Sequence, residues 1–218
     1  MTREEFCKYH WEYFLVLEKD LLDIERYISF DLGDDNFYIS TTPTEYGNSK
    51  CFSNEFVKQY QAICSEVDVL LKTICCELGN TSAEKMDTGY TPTVLNRWPD
   101  IINQKVQMKN GTDLQPFINW KNVPNYQSPD WWTPYNKVKH KRIENYKSAN
   151  LKNVLNALAG LYVLEIYLAK FIGDRDGEYD VPNDISKLFS MVNYSTNREV
   201  VGRDAYLTNQ DDINEMFS

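Results

Sequence analysis

Apolar residues recur at helical spacing along several stretches of the chain, and the longest runs from Ser148 to Gly173. Leu151, Val154, Leu155, Leu158, Leu161, Tyr162, Leu168, Ala169 and Ile172 fall on one arc, broader than a surface helix needs, which predicts a central helix. Ser148 is placed to accept from the free amides of the first turn, and Gly173 to take the left-handed conformation that ends a helix. Glu165 lies inside that arc, where an unpaired carboxylate is costly. The expected remedy is a salt bridge to Arg142 or Lys139, or a hydrogen bond with His10.

A first helix is predicted over Arg3 to Ser29, with Phe6, Tyr9, Tyr13, Val16, Leu17, Leu21, Ile24, Tyr27 and Ile28 on its apolar arc. His10 and Asp20 fall on the same arc and read as hydrogen-bonded members of a polar core beside Glu165. Ser53 or Asn54 caps a second helix that runs to about Leu78 and stops at Gly79-Asn80. Between these two helices, Phe30 to Phe52 is rich in Gly, Asp, Asn, Ser and Thr, which predicts a loop with a short strand at Asn36 to Ser40.

From Asn80 to Pro129 prolines interrupt any long helix, though Pro92 to Trp98 suits one short turn. Asn110-Gly111 between two extended runs is a strong hairpin signal, so strands are expected at Gln104 to Met108 and Leu114 to Trp120. Ser128 and Pro129 then open a further helix from Asp130 to Tyr146. The tail from about 190 to 218 is polar and acidic and reads as loosely held. These elements predict an all-α single domain over 1–218. It is a four-helix antiparallel bundle, with a hairpin-bearing insertion over about 80–128 between the second and third main helices.

Charge changes the picture at one place. The chain carries a net charge of −9, yet Lys137, Lys139, Lys141, Arg142, Lys147 and Lys152 stand against Glu144 alone between 137 and 152. General wrapping of nucleic acid is excluded by the overall sign, but a local anion-facing surface is not. On the wheel of the Asp130–Tyr146 helix, Trp131, Trp132, Tyr135, Val138, Ile143 and Tyr146 form the apolar arc. Lys139 and Arg142 fall within it, and Asn136 and His140 lie at its edge. Two arrangements fit: the cations lay their aliphatic stems on aromatic rings with their charges at the rim, or Asn136, Lys139, His140 and Arg142 converge on a phosphate.

The segment YNKVKH, with Asn136 and His140, resembles the R-N-x-x-x-H motif of the HEPN superfamily, with Tyr135 standing at the arginine position. The resemblance implies a helical domain that acts as a metal-independent endoribonuclease or binds RNA or a nucleotide phosphate, in a prokaryotic toxin–antitoxin or antiviral defence system. It further implies a homodimer, which the apolar area that the tryptophan-rich segment would otherwise expose also favours. His140, Asn136 and Arg142 are the catalytic candidates, and the charge cluster makes Lys137, Lys139, Lys141, Lys147 and Lys152, with Tyr135, the binding candidates. His140 would accept a proton from the 2′-hydroxyl, and Arg142 or Lys139 would meet the phosphorane charge. The alternative is a non-catalytic adaptor that holds a protein partner through the aromatic surface around Trp120, Tyr126, Trp131, Trp132 and Tyr135.

Five cysteines without C-x-x-C spacing read as reduced thiols rather than a zinc site. No cofactor or metal is expected. MTREEF lacks the apolar run of a signal peptide, and Glu165 and Lys170 interrupt the richest apolar stretch, so a soluble cytoplasmic protein with no membrane partner is expected.

Overall fold

A computed structural model describes residues 1–33, 47–177 and 185–191, together with the backbone of 198–201 and 204–207. The described residues are mostly helical, as the apolar spacing predicts, with a small sheet beside the helices. The strand expected at Asn36 to Ser40 and most of the tail lie outside the described residues.

The chain opens with a capping box, in which Thr2 accepts from the Glu5 amide and Glu5 from the Thr2 amide. Helix α1 (Arg3–Phe6), a π-helical turn (Cys7–Trp11) and α2 (Glu12–Ile24) then form one continuous rod. The π turn admits an extra residue and shifts the buried stripe by one position. Phe6, His10, Trp11, Phe14, Leu17, Glu18, Leu21 and Ile24 are buried, whereas Tyr9, Tyr13 and Val16 are 59%, 43% and 52% exposed. Asp20 is likewise exposed. It is not the polar core residue the uniform period predicts, and Glu18 takes that role.

Helix α3 (Asn54–Glu77) starts at Ser53, whose hydroxyl accepts from the Phe56 amide at 3.1 Å, and ends before Gly79 at φ 89°. Helix α7 (Leu151–Asp176) is capped by Asn150 rather than Ser148, and it runs one turn past Gly173 to a left-handed Gly177. These two helices pack most extensively against each other, and they are parallel. Phe52 bridges to Asn150 at their starts, and Arg175 pairs with Glu77 at their ends. The first rod runs the other way: the amino group of Met1 contacts Glu77, and Arg175 donates to the Met1 carbonyl. A uniformly antiparallel bundle is therefore not what forms. The long insertion carries the chain back to the starting end, which a short loop could not do.

That insertion holds a second π turn (Met86–Tyr90), α4 (Thr91–Arg97) and a 3₁₀ turn (Pro99–Asn103), followed by β1 (Val106–Met108) and β2 (Asp113–Leu114). The hairpin forms at Asn110-Gly111, with Val106 opposite Leu114 and Gly111 at φ 85°. A third strand, β3 (Phe189–Met191), pairs antiparallel to β1, so a piece of the chain beyond α7 joins the sheet. Glu18 holds it there: its carboxylate accepts from the Ser186 hydroxyl and from the amides of Lys187 (2.9 Å) and Leu188 (3.1 Å). Strands β4 (Arg198–Val201) and β5 (Asp204–Leu207) form a separate antiparallel pair.

The predicted helix from Asp130 to Tyr146 is split. Helix α5 (Trp132–His140) ends at Lys141, at φ −138° and ψ 55°, and α6 (Arg142–Asn145) leads through a 3₁₀ turn (Tyr146–Ser148) into α7. A helix end favours cations, and Lys137, Lys139 and His140 occupy the last turn of α5. Like charges at Lys137 and Lys141 also disfavour its continuation. Past the break the wheel no longer applies: Ile143, expected in the apolar arc, is 96% exposed.

Candidate functional site

Helix α5 is held by its tryptophans. Trp131 is fully buried: its indole donates to the Pro116 carbonyl at 2.9 Å, and its own carbonyl accepts from the Tyr60 hydroxyl. Trp120 donates to Thr91 at 2.8 Å. Trp120, Trp131, Trp132 and Tyr135 are all buried within the chain, so they form no aromatic surface, and the apolar area expected to drive pairing at this segment is already covered.

Below α5, a polar cleft of about 440 Å³ is walled by Tyr135, Asn136 and Lys139 on one side, and by α3 with the turn around Lys85 on the other. Asp68, Glu84 and Asp87 face into it with Lys85 and Lys139, so its interior is slightly acidic. Tyr126, Ser128 and Thr133 complete the rim. Tyr135 packs edge-on against Tyr60 at 5.9 Å between ring centroids. Burial, with lesser contributions from Cys64 and Asp68, pushes its hydroxyl up to about 12, so it keeps its proton at neutral pH. The Lys139 ammonium lies 5.7 Å from the centre of the same ring.

The motif residues are thus only partly brought together. Asn136 and Lys139 share the cleft wall. His140 is exposed at the last position of α5, outside the cleft lining, and Arg142 is exposed beyond the break. Lys137, Lys141 and Lys147 are exposed as well, with the Lys147 ammonium over the Phe52 ring, while Lys152 is half-buried at the start of α7. Among the described residues none of Lys137, Lys139, Lys141, Arg142 and Lys147 makes a salt bridge.

A second constellation lies inside the helices. Glu165 is fully buried, but neither Arg142 nor Lys139 reaches it, because the break at Lys141 turns Arg142 away and Lys139 lies in the cleft. Instead it lies by His10, on the π turn, and Glu66, on α3. One donor atom from each of the three falls within 4.8 Å of the others, and all three residues are buried. The His10 Nδ1 is 3.2 Å from the Glu66 Oε1, so the hydrogen bond foreseen for Glu165 is made by Glu66. Neither oxygen of Glu165 has a hydrogen-bond partner among the described residues. Burial, and then the neighbouring Glu66, raise its carboxyl well above the usual range. Glu66 is a member of the constellation that the sequence pattern does not single out. The available signal is its position on the buried stripe of its helix, one residue before Val67.

The chain matches no family model, no curated protein and no solved structure. The five cysteines are free thiols, as their spacing suggests. Among the described residues one helix, α7, is long and apolar enough to cross a membrane, and 89% of its apolar window is buried inside the fold.

Proposed function

We propose that the chain binds single-stranded RNA, with phosphates along the ridge formed by Lys137, Lys141, Arg142 and Lys147 and one nucleoside in the adjoining cleft. The observation that carries this reading is the exposure of those cations, unpaired among the described residues, in a chain whose other residues are strongly acidic. The cleft complements the ridge. Its carboxylates repel phosphate, which leaves the interior to an uncharged base and the backbone to the cations outside. Asn136 offers an amide to a base edge and Tyr126 a ring to stack on, the usual means by which unpaired bases are held.

On this reading the chain is a degenerate ribonuclease that retains binding. A protonated Tyr135 at the motif's arginine position supplies no positive charge to a phosphorane. The reading keeps the HEPN resemblance at the level of layout, taking α5 with α6 as the fourth helix of a bundle. Action in the cytoplasm, as a homodimer in a toxin or defence system, follows from that resemblance and belongs to the same proposal. Incubation of the protein with mixed RNA beside His140→Ala tests it. Both proteins should retain RNA on a filter and leave it intact, whereas cleavage by the parent that is lost in His140→Ala would contradict a binding-only role.

A further inference from the structure

We propose that His10, Glu66 and Glu165 form a buried binding site for one divalent first-row transition-metal ion, Mn²⁺ to Zn²⁺ in type. The three side chains come from three different helical segments, and their donor atoms already converge within 4.8 Å. Facing helices of a bundle are where such sites are built. In a tetrahedral site with bonds of about 2.0–2.2 Å, neighbouring ligand atoms stand roughly 3.4 Å apart. The 3.2 Å between His10 and Glu66 is already near that edge length, and small side-chain rotations bring in Glu165.

The unpartnered oxygens of Glu165 point most directly to a ligand. A wholly buried carboxylate with no donor aimed at either oxygen is a rare and costly arrangement, and each such group calls for an explanation. Among the described residues no lysine or arginine lies within ion-pair distance of Glu66 or Glu165, and His10 faces Glu66. A divalent cation between two carboxylates and a neutral imidazole leaves the site uncharged and gives the two unpartnered Glu165 oxygens a partner. Glu165 can also bind through both oxygens, whose short bite occupies a single corner of the site and distorts it from a regular tetrahedron, so a fourth bond forms without solvent.

The donor set selects the ion. Mg²⁺ and Ca²⁺ prefer all-oxygen shells, whereas an imidazole with two carboxylates suits Mn²⁺, Fe²⁺ or Zn²⁺. The three residues line no part of the cleft under α5, so the ion ties the first rod to α3 and α7 and performs no chemistry on RNA. The π turn leaves both His10 and Trp11 on the buried side of the first rod.

The test uses the untagged full chain, stripped with a chelator and titrated by calorimetry with ZnCl₂, MnCl₂ and MgCl₂, with melting followed in parallel. Zn²⁺ or Mn²⁺ should bind at one ion per chain and raise the melting temperature, and Mg²⁺ should do neither. Glu165→Gln removes the ligand but not the shape, and it should fold and weaken binding by more than roughly 100-fold, beyond the usual cost of losing a residue that merely supports a ligand. His10→Gln should do the same. Co²⁺ should give a visible d–d spectrum with the parent and none with Glu165→Gln. Failure of Zn²⁺ and Mn²⁺ to bind or to shift melting overturns the proposal, and so does equal binding by the parent and Glu165→Gln, which would place the ion on other groups such as the exposed Cys76.

Discussion

Glu18 and Asp20 are two residues apart on one helix and meet opposite surroundings. Asp20 faces water, while Glu18 accepts three hydrogen bonds from the segment leading into β3. Glu18→Ala should cost about 1–3 kcal/mol in urea unfolding, since it strands one buried and two partly buried donors. It should also speed amide exchange at Phe189 to Met191, while Asp20→Ala changes neither. Glu165 makes a different prediction. Its carboxyl keeps its proton in the folded chain past the point, near 4.5, where an unfolded glutamate loses it. The stabilisation from that retained proton is complete below the unfolded value and is lost as pH rises toward the raised folded value. Metal-free parent should therefore melt progressively lower from about pH 4.5 upward, and Glu165→Gln should lack that component. The burial of Glu165 was legible because it sits in a wide apolar arc. Its neighbours were not, because a helical wheel describes one helix and a pair across helices depends on how they pack.

Among the elements, α3 and α7 were plain in the sequence, where long periodic stripes bounded by caps leave little choice. The π turn at Cys7–Trp11 was not, since a uniform period of 3.6 residues has no place for it. Its trace survives in the five-residue step from Phe6 to Trp11. The end of α5 had a signal that a wheel ignores, a run of cations where a helix terminus attracts them. The hairpin was read from two turn residues, while its third strand comes from about eighty residues further on and has no local mark. The packing of α7 against the residue that opens α5 gives an element-level prediction. A β-carbon added at Gly160 would lie 2.7 Å from the Trp131 ring, which its bond to Pro116 holds in place. Alanine favours a helix over glycine by about 1 kcal/mol, so Gly160→Ala would stabilise an open helix. Here it should destabilise, with overpacking costs of about 1–3 kcal/mol prevailing, as measured by urea unfolding.

At the scale of the molecule, charge is segregated along the chain: six cations stand against Glu144 alone between 137 and 152 in an otherwise strongly acidic sequence, and a polar cleft lies under α5 within the same stretch. The ridge was legible in composition alone, but the cleft was not, because it is assembled from α3, α5 and the insertion. The central claim is that this ridge binds phosphate, and the dependence of RNA affinity on salt tests it most directly. Binding of a single-stranded oligoribonucleotide should be measured by fluorescence anisotropy across a range of salt, for the parent and for a variant with Lys137, Lys141, Arg142 and Lys147 changed to glutamine. Folding should be nearly unchanged, since exposed charges contribute about 0–1 kcal/mol each. The variant should bind more weakly at low salt, and its log–log slope should flatten by about 0.7 for each phosphate that the ridge no longer neutralises. Equal affinity and equal slope for the two proteins would contradict the account.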